Sequence, residues 1–138
     1  MSSIYMDVTS ESSTYPGNKA NNFRIDLHPI LELFGDYECS LEELLIPELV
    51  KPIKALYITS NFTSLQNVNG VRRPVLRVVI NPEKHNRLGS QYRGIDSKKL
   101  STLEFRFEDS KGELVQFKTG ITVLTLHFHG FRTKTPQS

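Results

Sequence analysis

Apolar and polar positions alternate along most of this chain, the period-two signature of strands with one face on a core. The densest apolar stretch is residues 120–131, Gly-Ile-Thr-Val-Leu-Thr-Leu-His-Phe-His-Gly-Phe. Alternation sets Thr122, Leu124, Leu126 and Phe128 on one face and Ile121, Val123, Thr125, His127 and His129 on the other. Its first half is apolar on both faces. It is therefore expected in the middle of the fold, covered above and below at its start and meeting water or a partner at its histidine end.

The same reading extends to the flanking segments. Residues 2–8 place Ile4, Met6 and Val8 opposite Tyr5 and Asp7, an expected exposed edge, and residues 9–20 form a polar loop around the turn Tyr15-Pro16-Gly17-Asn18. Residues 22–27 set Phe23, Ile25 and Leu27 against Arg24 and Asp26, until Pro29 is expected to interrupt the strand. After a connector bracketed by Pro47 and Pro52, residues 55–59 oppose Leu56 and Ile58 to Tyr57. Residues 61–72, with Asn67, Asn69 and Gly70, suit a polar loop or loose hairpin. Residues 73–80 are expected to set Leu76, Val78 and Ile80 against Val75, Arg77 and Val79, with Pro74 near the start of the strand. Leu103, Phe105 and Phe107 alternate with Glu104, Arg106 and Glu108; Asp109-Ser110-Lys111-Gly112 then turns the chain, and residues 113–117 are expected to return as a hairpin partner.

Two stretches resist the pattern. In residues 36–47, Ser40-Leu41-Glu42-Glu43 forms a capping box and Leu41, Leu44 and Leu45 have helical spacing, yet Tyr37, Cys39 and Leu41 have strand spacing. A strand would need a β-bulge near Glu42-Glu43 for Leu44 to share the face of Leu41, and pattern alone leaves helix and strand equal. Residues 81–99 lack an apolar period and carry five basic residues and His85, so they are expected to form a long surface loop and a first candidate for a binding surface. About eight strands with little helix predict an all-β fold, a single jelly roll or antiparallel β-sandwich, in one domain over residues 1–131 followed by a basic polar tail at 132–138.

Composition narrows the function classes. The 138 residues, 38% hydrophobic and 23% charged, suit one soluble domain with its own core. Cys39 is the only cysteine, which excludes an intrachain disulfide and zinc sites of four cysteines or of two cysteines and two histidines, and suits a reducing compartment. The 17 basic and 15 acidic residues are interspersed, so nucleic-acid contact is expected to be at most local. Arg72-Arg73, Lys98-Lys99 and the stretch 132–134 are its candidates, with dispersed surface charge the commoner explanation. The opening residues carry no basic region followed by an apolar run, and no segment nears the roughly 18 apolar residues of a membrane span. A soluble protein made inside the cell is expected. Asn61-Phe62-Thr63 matches a glycosylation triplet, a match frequent by chance.

Candidate chemistry is sparse. Nucleophile-elbow, phosphate-loop, zinc-protease and dinucleotide motifs are missing. His127 and His129 share one strand face at a spacing that can chelate a metal, but with no carboxylate placed beside them a packed or hydrogen-bonded pair is the expected role. Cys39, among apolar neighbours, is expected to be a buried inert thiol. Glu42-Glu43 and Glu108-Asp109 fall beside turns or on solvent faces, which suits solubility rather than acid-base work. No catalytic, cofactor-binding or metal residue is assigned, and no cofactor.

One set of segments is familiar in its order: Tyr15-Pro16, Asn22-Phe23-Arg24-Ile25-Asp26-Leu27, Leu33-Phe34-Gly35-Asp36-Tyr37-Glu38, Pro74-Val75-Leu76-Arg77-Val78-Val79, Asp109 with Gly112, Val115, Phe117 and Gly120, and Leu124-Thr125-Leu126-His127-Phe128. Together they resemble the penton or minor capsid proteins of Polinton (Maverick) elements and adintovirus-like viruses, over residues 2–131. The resemblance implies a jelly roll, with residues 36–47 as a strand. It also implies a structural virion protein, a homopentamer at the capsid vertex beside a double jelly-roll major capsid protein, assembled inside the host cell, with no enzyme activity, small-molecule substrate or membrane span. Cys39 stands where a valine is expected, Ile46-Pro47 replaces a tyrosine-proline pair, and the connection over 60–73 is short, which implies a bare wall domain without a spike insertion. The flanks expected to meet neighbouring copies are residues 2–8 and 81–99. The alternatives are a receptor- or glycan-binding β-sandwich module using the loop-adjacent rings Tyr57, Phe62 and Tyr92, and a metal-dependent jelly-roll enzyme built on His127, His129 and a carboxylate.

Overall fold

The computed structural model describes residues 3–11, 15–33, 35–96 and 98–131, the last residue in its backbone only; Phe34 and the basic tail at 132–138 lie outside them. Among the described residues there is no helix. The strands are β1 (Ser3–Thr9), β2 (Asn22–Glu32), β3 (Asp36–Leu45), β4 (Ala55–Ser60), β5 (Gln66–Val68), β6 (Val71–Arg73), β7 (Val75–Ile80), β8 (His85–Arg87), β9 (Tyr92–Gly94), β10 (Lys99–Glu108) and β11 (Val123–Phe131).

All described pairings are antiparallel. The first sheet runs β1-β11-β3-β8, with β9 also on β3, and the second runs β2-β10-β4-β7. Taking β8 and β9 as one interrupted strand and setting aside the β5–β6 hairpin leaves eight strands in chain order. One sheet then holds the first, eighth, third and sixth, and the other the second, seventh, fourth and fifth. That interleaving is the jelly-roll order, so the expected all-β sandwich is the fold observed.

The core lies between the sheets, where strict alternation supplies it. Leu103, Phe105 and Phe107 from β10 and Leu124, Leu126 and Phe128 from β11 are fully buried. In β3 the bulge is present: Thr125 faces Glu43 while Leu126 faces Leu41, so Glu42 is the extra residue and Leu41 and Leu44 both reach the core. The capping-box hydroxyl is otherwise engaged, because Ser40 Oγ donates to Glu42 and accepts from the Gln91 N–H. Sheet pairing on both sides of β3 overrides the local helical preference. The turn at Asn69-Gly70, both at positive φ (52° and 83°), closes β5 onto β6 as the expected hairpin.

Five expectations about these elements need correction. β2 does not stop at Pro29: Asp26 pairs with Thr102 and Leu31 with Leu100, so residues 27–30 bulge past Ser101 on a free sheet edge, where a proline removes no ladder bond. In β7 a register shift at Leu76 puts Leu76 and Val79 in the core and turns Ile80 outward, 66% exposed, the reverse of simple alternation. Residues 81–99 are not featureless; β8 and β9 both pair with β3. Residues 113–117 form no strand and meet Glu108 only through an isolated bridge at Leu114, with Val115 N–H donating to the Phe107 carbonyl. In β11 the cover is reversed. Ile121 on the outer side of its apolar approach is 47% exposed, whereas His127 is only 7% exposed.

Candidate functional site

The outer face of the first sheet gathers the residues with chemical potential. Register places them in rows across β1, β11, β3 and the β8/β9 edge: Ser3, His129, Glu38 and Gly94; Tyr5, His127, Ser40 and Tyr92; Asp7, Thr125, Glu43 and Arg87. Each lies on the side opposite Leu124, Leu126 and Phe128, because alternate residues of a strand face opposite ways.

His127 is the centre of this face. The Tyr5 ring stacks on it with centroids 4.2 Å apart and planes within 3°, and the Tyr92 hydroxyl is 2.6 Å from its Nδ1. Glu42 Oε1 lies 3.9 Å from the same nitrogen, while the Glu42 carboxylate also accepts from the Ser40 and Ser90 hydroxyls. His127 Nε2 is buried without a hydrogen-bond partner. His129 sits 6.0 Å from His127 and 5.6 Å from Tyr92, centroid to centroid. His127 thus packs between tyrosines from opposite edges of the sheet and hydrogen-bonds one of them, and His129 packs against Tyr92. Among the described residues they join no group of three or more histidine, cysteine or carboxylate side chains able to hold a metal ion.

The remaining candidates are dispersed. Cys39 is buried at 1% exposure, and burial, followed by the nearby Glu42 charge, raises its thiol far above the usual range, so it is not poised as a nucleophile. Glu43 pairs with His85. Glu108 is not on a solvent face. It is 7% exposed and carries two ion pairs, to Arg73 at 2.7 Å and to Arg106 at 3.0 Å. Arg73 also lies over the Tyr57 ring, 5.0 Å from its centroid. Lys98 and Lys99 approach Asp36 (3.6 Å) and Glu32 (3.9 Å). The residues 132–134 proposed for phosphate contact lie outside the described residues.

The three rings considered for a ligand do not converge. Phe62 is a core residue at 1% exposure, Tyr57 lies on the outer face of the second sheet and Tyr92 on that of the first. Within the glycosylation triplet, the Asn61 amide is bonded to the Thr102 carbonyl and the Glu104 N–H, and Thr63 is buried against Ser60. A further polar cluster on the second sheet joins Tyr15 and Thr102, both donating to Asp26. Those hydrogen bonds, that from Tyr15 first, hold the Asp26 carboxyl below its usual range, and the bond to Asp26 raises Tyr15.

The Tyr5–His127–Tyr92 cluster went unforeseen. Its members are 122 and 35 positions apart in sequence, so only the register of β1, β11 and β9 brings them together. A surface depression of about 350 Å³ beside the turn at residues 15–18 is lined by Tyr15, Asn18, Arg24 and Glu104 among others, and it includes neither histidine nor Cys39. No protein-family model matches the chain, and no curated protein matches its sequence.

Proposed function

We propose that this chain is a structural virion protein: a penton or minor capsid protein, a single jelly roll that assembles with copies of itself into a ring of five at the icosahedral vertex, beside a double jelly-roll major capsid protein. The observation that carries the reading is the coincidence of resemblance and topology. Segment 22–27 lies on β2, segment 36–38 opens β3, segment 75–79 lies on β7, and segment 124–128 is the middle of β11. Jelly rolls also serve as lectins and cupins, so the fold alone does not choose among them.

A ring needs a heterologous contact, one flank of each copy meeting a different flank of the next. The two outer faces lie on opposite sides of the sandwich and differ in charge. The first carries Asp7, Glu38, Glu42 and Glu43 against Arg87 alone among arginines and lysines in its rows. On the second, Arg24, Arg73 and Arg106 balance Asp26, Glu104 and Glu108, with Ile80 exposed at its edge. Electron microscopy and native mass spectrometry of the purified chain test the reading. Rings of five are expected; a chain that stays single at every concentration counts against it.

A receptor- or glycan-binding module remains the second reading, favoured by Tyr5, 67% exposed and stacked on His127, with Tyr92 against both histidines. A glycan array on which wild type and Tyr5→Ala give no signal sinks that alternative.

A further inference from the structure

Among the described residues the sandwich has four free strand edges, and three of them are blunted. β2 carries the 27–30 bulge with Pro29. β7 is tied to the far edge of the first sheet by Arg77, whose guanidinium donates to the carbonyls of Leu88 at 2.7 Å and Gly89 at 2.9 Å. The β8/β9 edge is split at those same carbonyls and closed at its end by Ser64 N–H donating to the Gly94 carbonyl.

β1 has none of these devices. It pairs with β11 along its whole length, from Ser3 to Thr9, and among the described residues no strand lies on its other side. Its sequence, Ser-Ile-Tyr-Met-Asp-Val-Thr, holds no proline, glycine, lysine or arginine and only one charge. Val8 is 2% exposed, but Ile4 and Met6 on the same inner face are only partly buried, so the apolar strip runs out to an uncovered edge. An unpaired edge of this kind is a template for another strand.

We propose that β1 of a second copy of this chain completes the edge, antiparallel and centred on Met6. That centre opposes Ile4 to Val8, Tyr5 to Asp7 and Ser3 to Thr9 of the mate, keeping apolar residues facing apolar ones and the one charge beside a tyrosine. Charge and length select it over its neighbours. Centring on Asp7 sets two carboxylates directly opposite each other, a destabilising pair. Centring on Tyr5 pairs only residues 3–7, five of the seven residues of the strand. A centre between two residues sets inner-face residues against outer-face ones.

The contact is isologous and closes on itself, so it joins two copies, or two rings face to face, without replacing the contact that makes a ring. Directly opposed Cα atoms of an antiparallel pair lie about 4.5–5.5 Å apart, within the reach of a disulfide. Cys39 is buried, which leaves an introduced thiol as the reachable one. Mild oxidation of Met6→Cys is expected to give a covalent dimer. Ser3→Cys and Thr9→Cys chains, which keep Asp7 and oppose each other in this register, each stay uncrosslinked alone and crosslink when mixed in equal amounts. Absence of crosslinking in both the Met6→Cys chain and the mixture, with circular dichroism unchanged, overturns the proposal; should Met6→Cys fold poorly, the mixture decides. Rings without the crosslink defeat only this pairing, and the crosslink without rings defeats only the ring.

Discussion

Phe62→Ala is expected to lower the unfolding free energy by about 3–5 kcal/mol, a large part of the stability of a domain this size. The ring lies in the link after β4, yet it joins the two sheets. It meets Phe105 of the second sheet edge-on at 5.9 Å and Phe128 of the first at 5.7 Å. Truncation removes the buried area and leaves a void between residues fixed by two different ladders, which limits how far the site can collapse. Urea denaturation reads the effect as a lower midpoint at unchanged slope. A loss under about 1 kcal/mol would mean that Phe62 is peripheral and that the sandwich is held elsewhere.

Glu108→Ala is the second large effect, expected at about 3 kcal/mol. The carboxylate lies under Arg73, the two side chains 10% and 13% exposed. Removing it leaves the Arg73 guanidinium largely out of water with only the Tyr57 ring beneath it. Losing one member of a buried pair is more damaging than losing both, because the survivor keeps its desolvation penalty. The double variant Arg73→Ala with Glu108→Ala is therefore expected to lose much less than the sum of the two single changes. Arg106, 47% exposed, can turn to water and contributes little. Strict additivity in the double-mutant cycle would show that the pair is no unit.

Both residues stand where local pattern misleads. Phe62 is a lone aromatic in a polar stretch, with no period to assign it a side. Glu108 falls at the polar phase of β10 and beside a turn, and its burial depends on Arg73, 35 positions away. By contrast, Leu103, Phe105 and Phe107, like Leu124, Leu126 and Phe128, announce their inner face because an unbroken strand against a core demands alternation. β3 was ambiguous for a physical reason: a bulge is a property of two paired strands, and only the register with β11 shows that Glu42 is the extra residue. Pro29 misled in the same way, since a proline breaks a central strand and is harmless in an edge bulge. On the outer face, the pairing of His127 and His129 was legible from their spacing. Tyr5 and Tyr92, which cover them, were not, because they arrive from strands at either edge of the sheet.

In the proposed role this protein acts through shape, tiling with copies of itself. An icosahedral reconstruction of particles assembled with this chain tests it most directly. Five copies of this sandwich at each five-fold vertex, seated against the major capsid protein, is the expected result. Particles whose vertices hold some other density, with this chain absent from the shell, would contradict it.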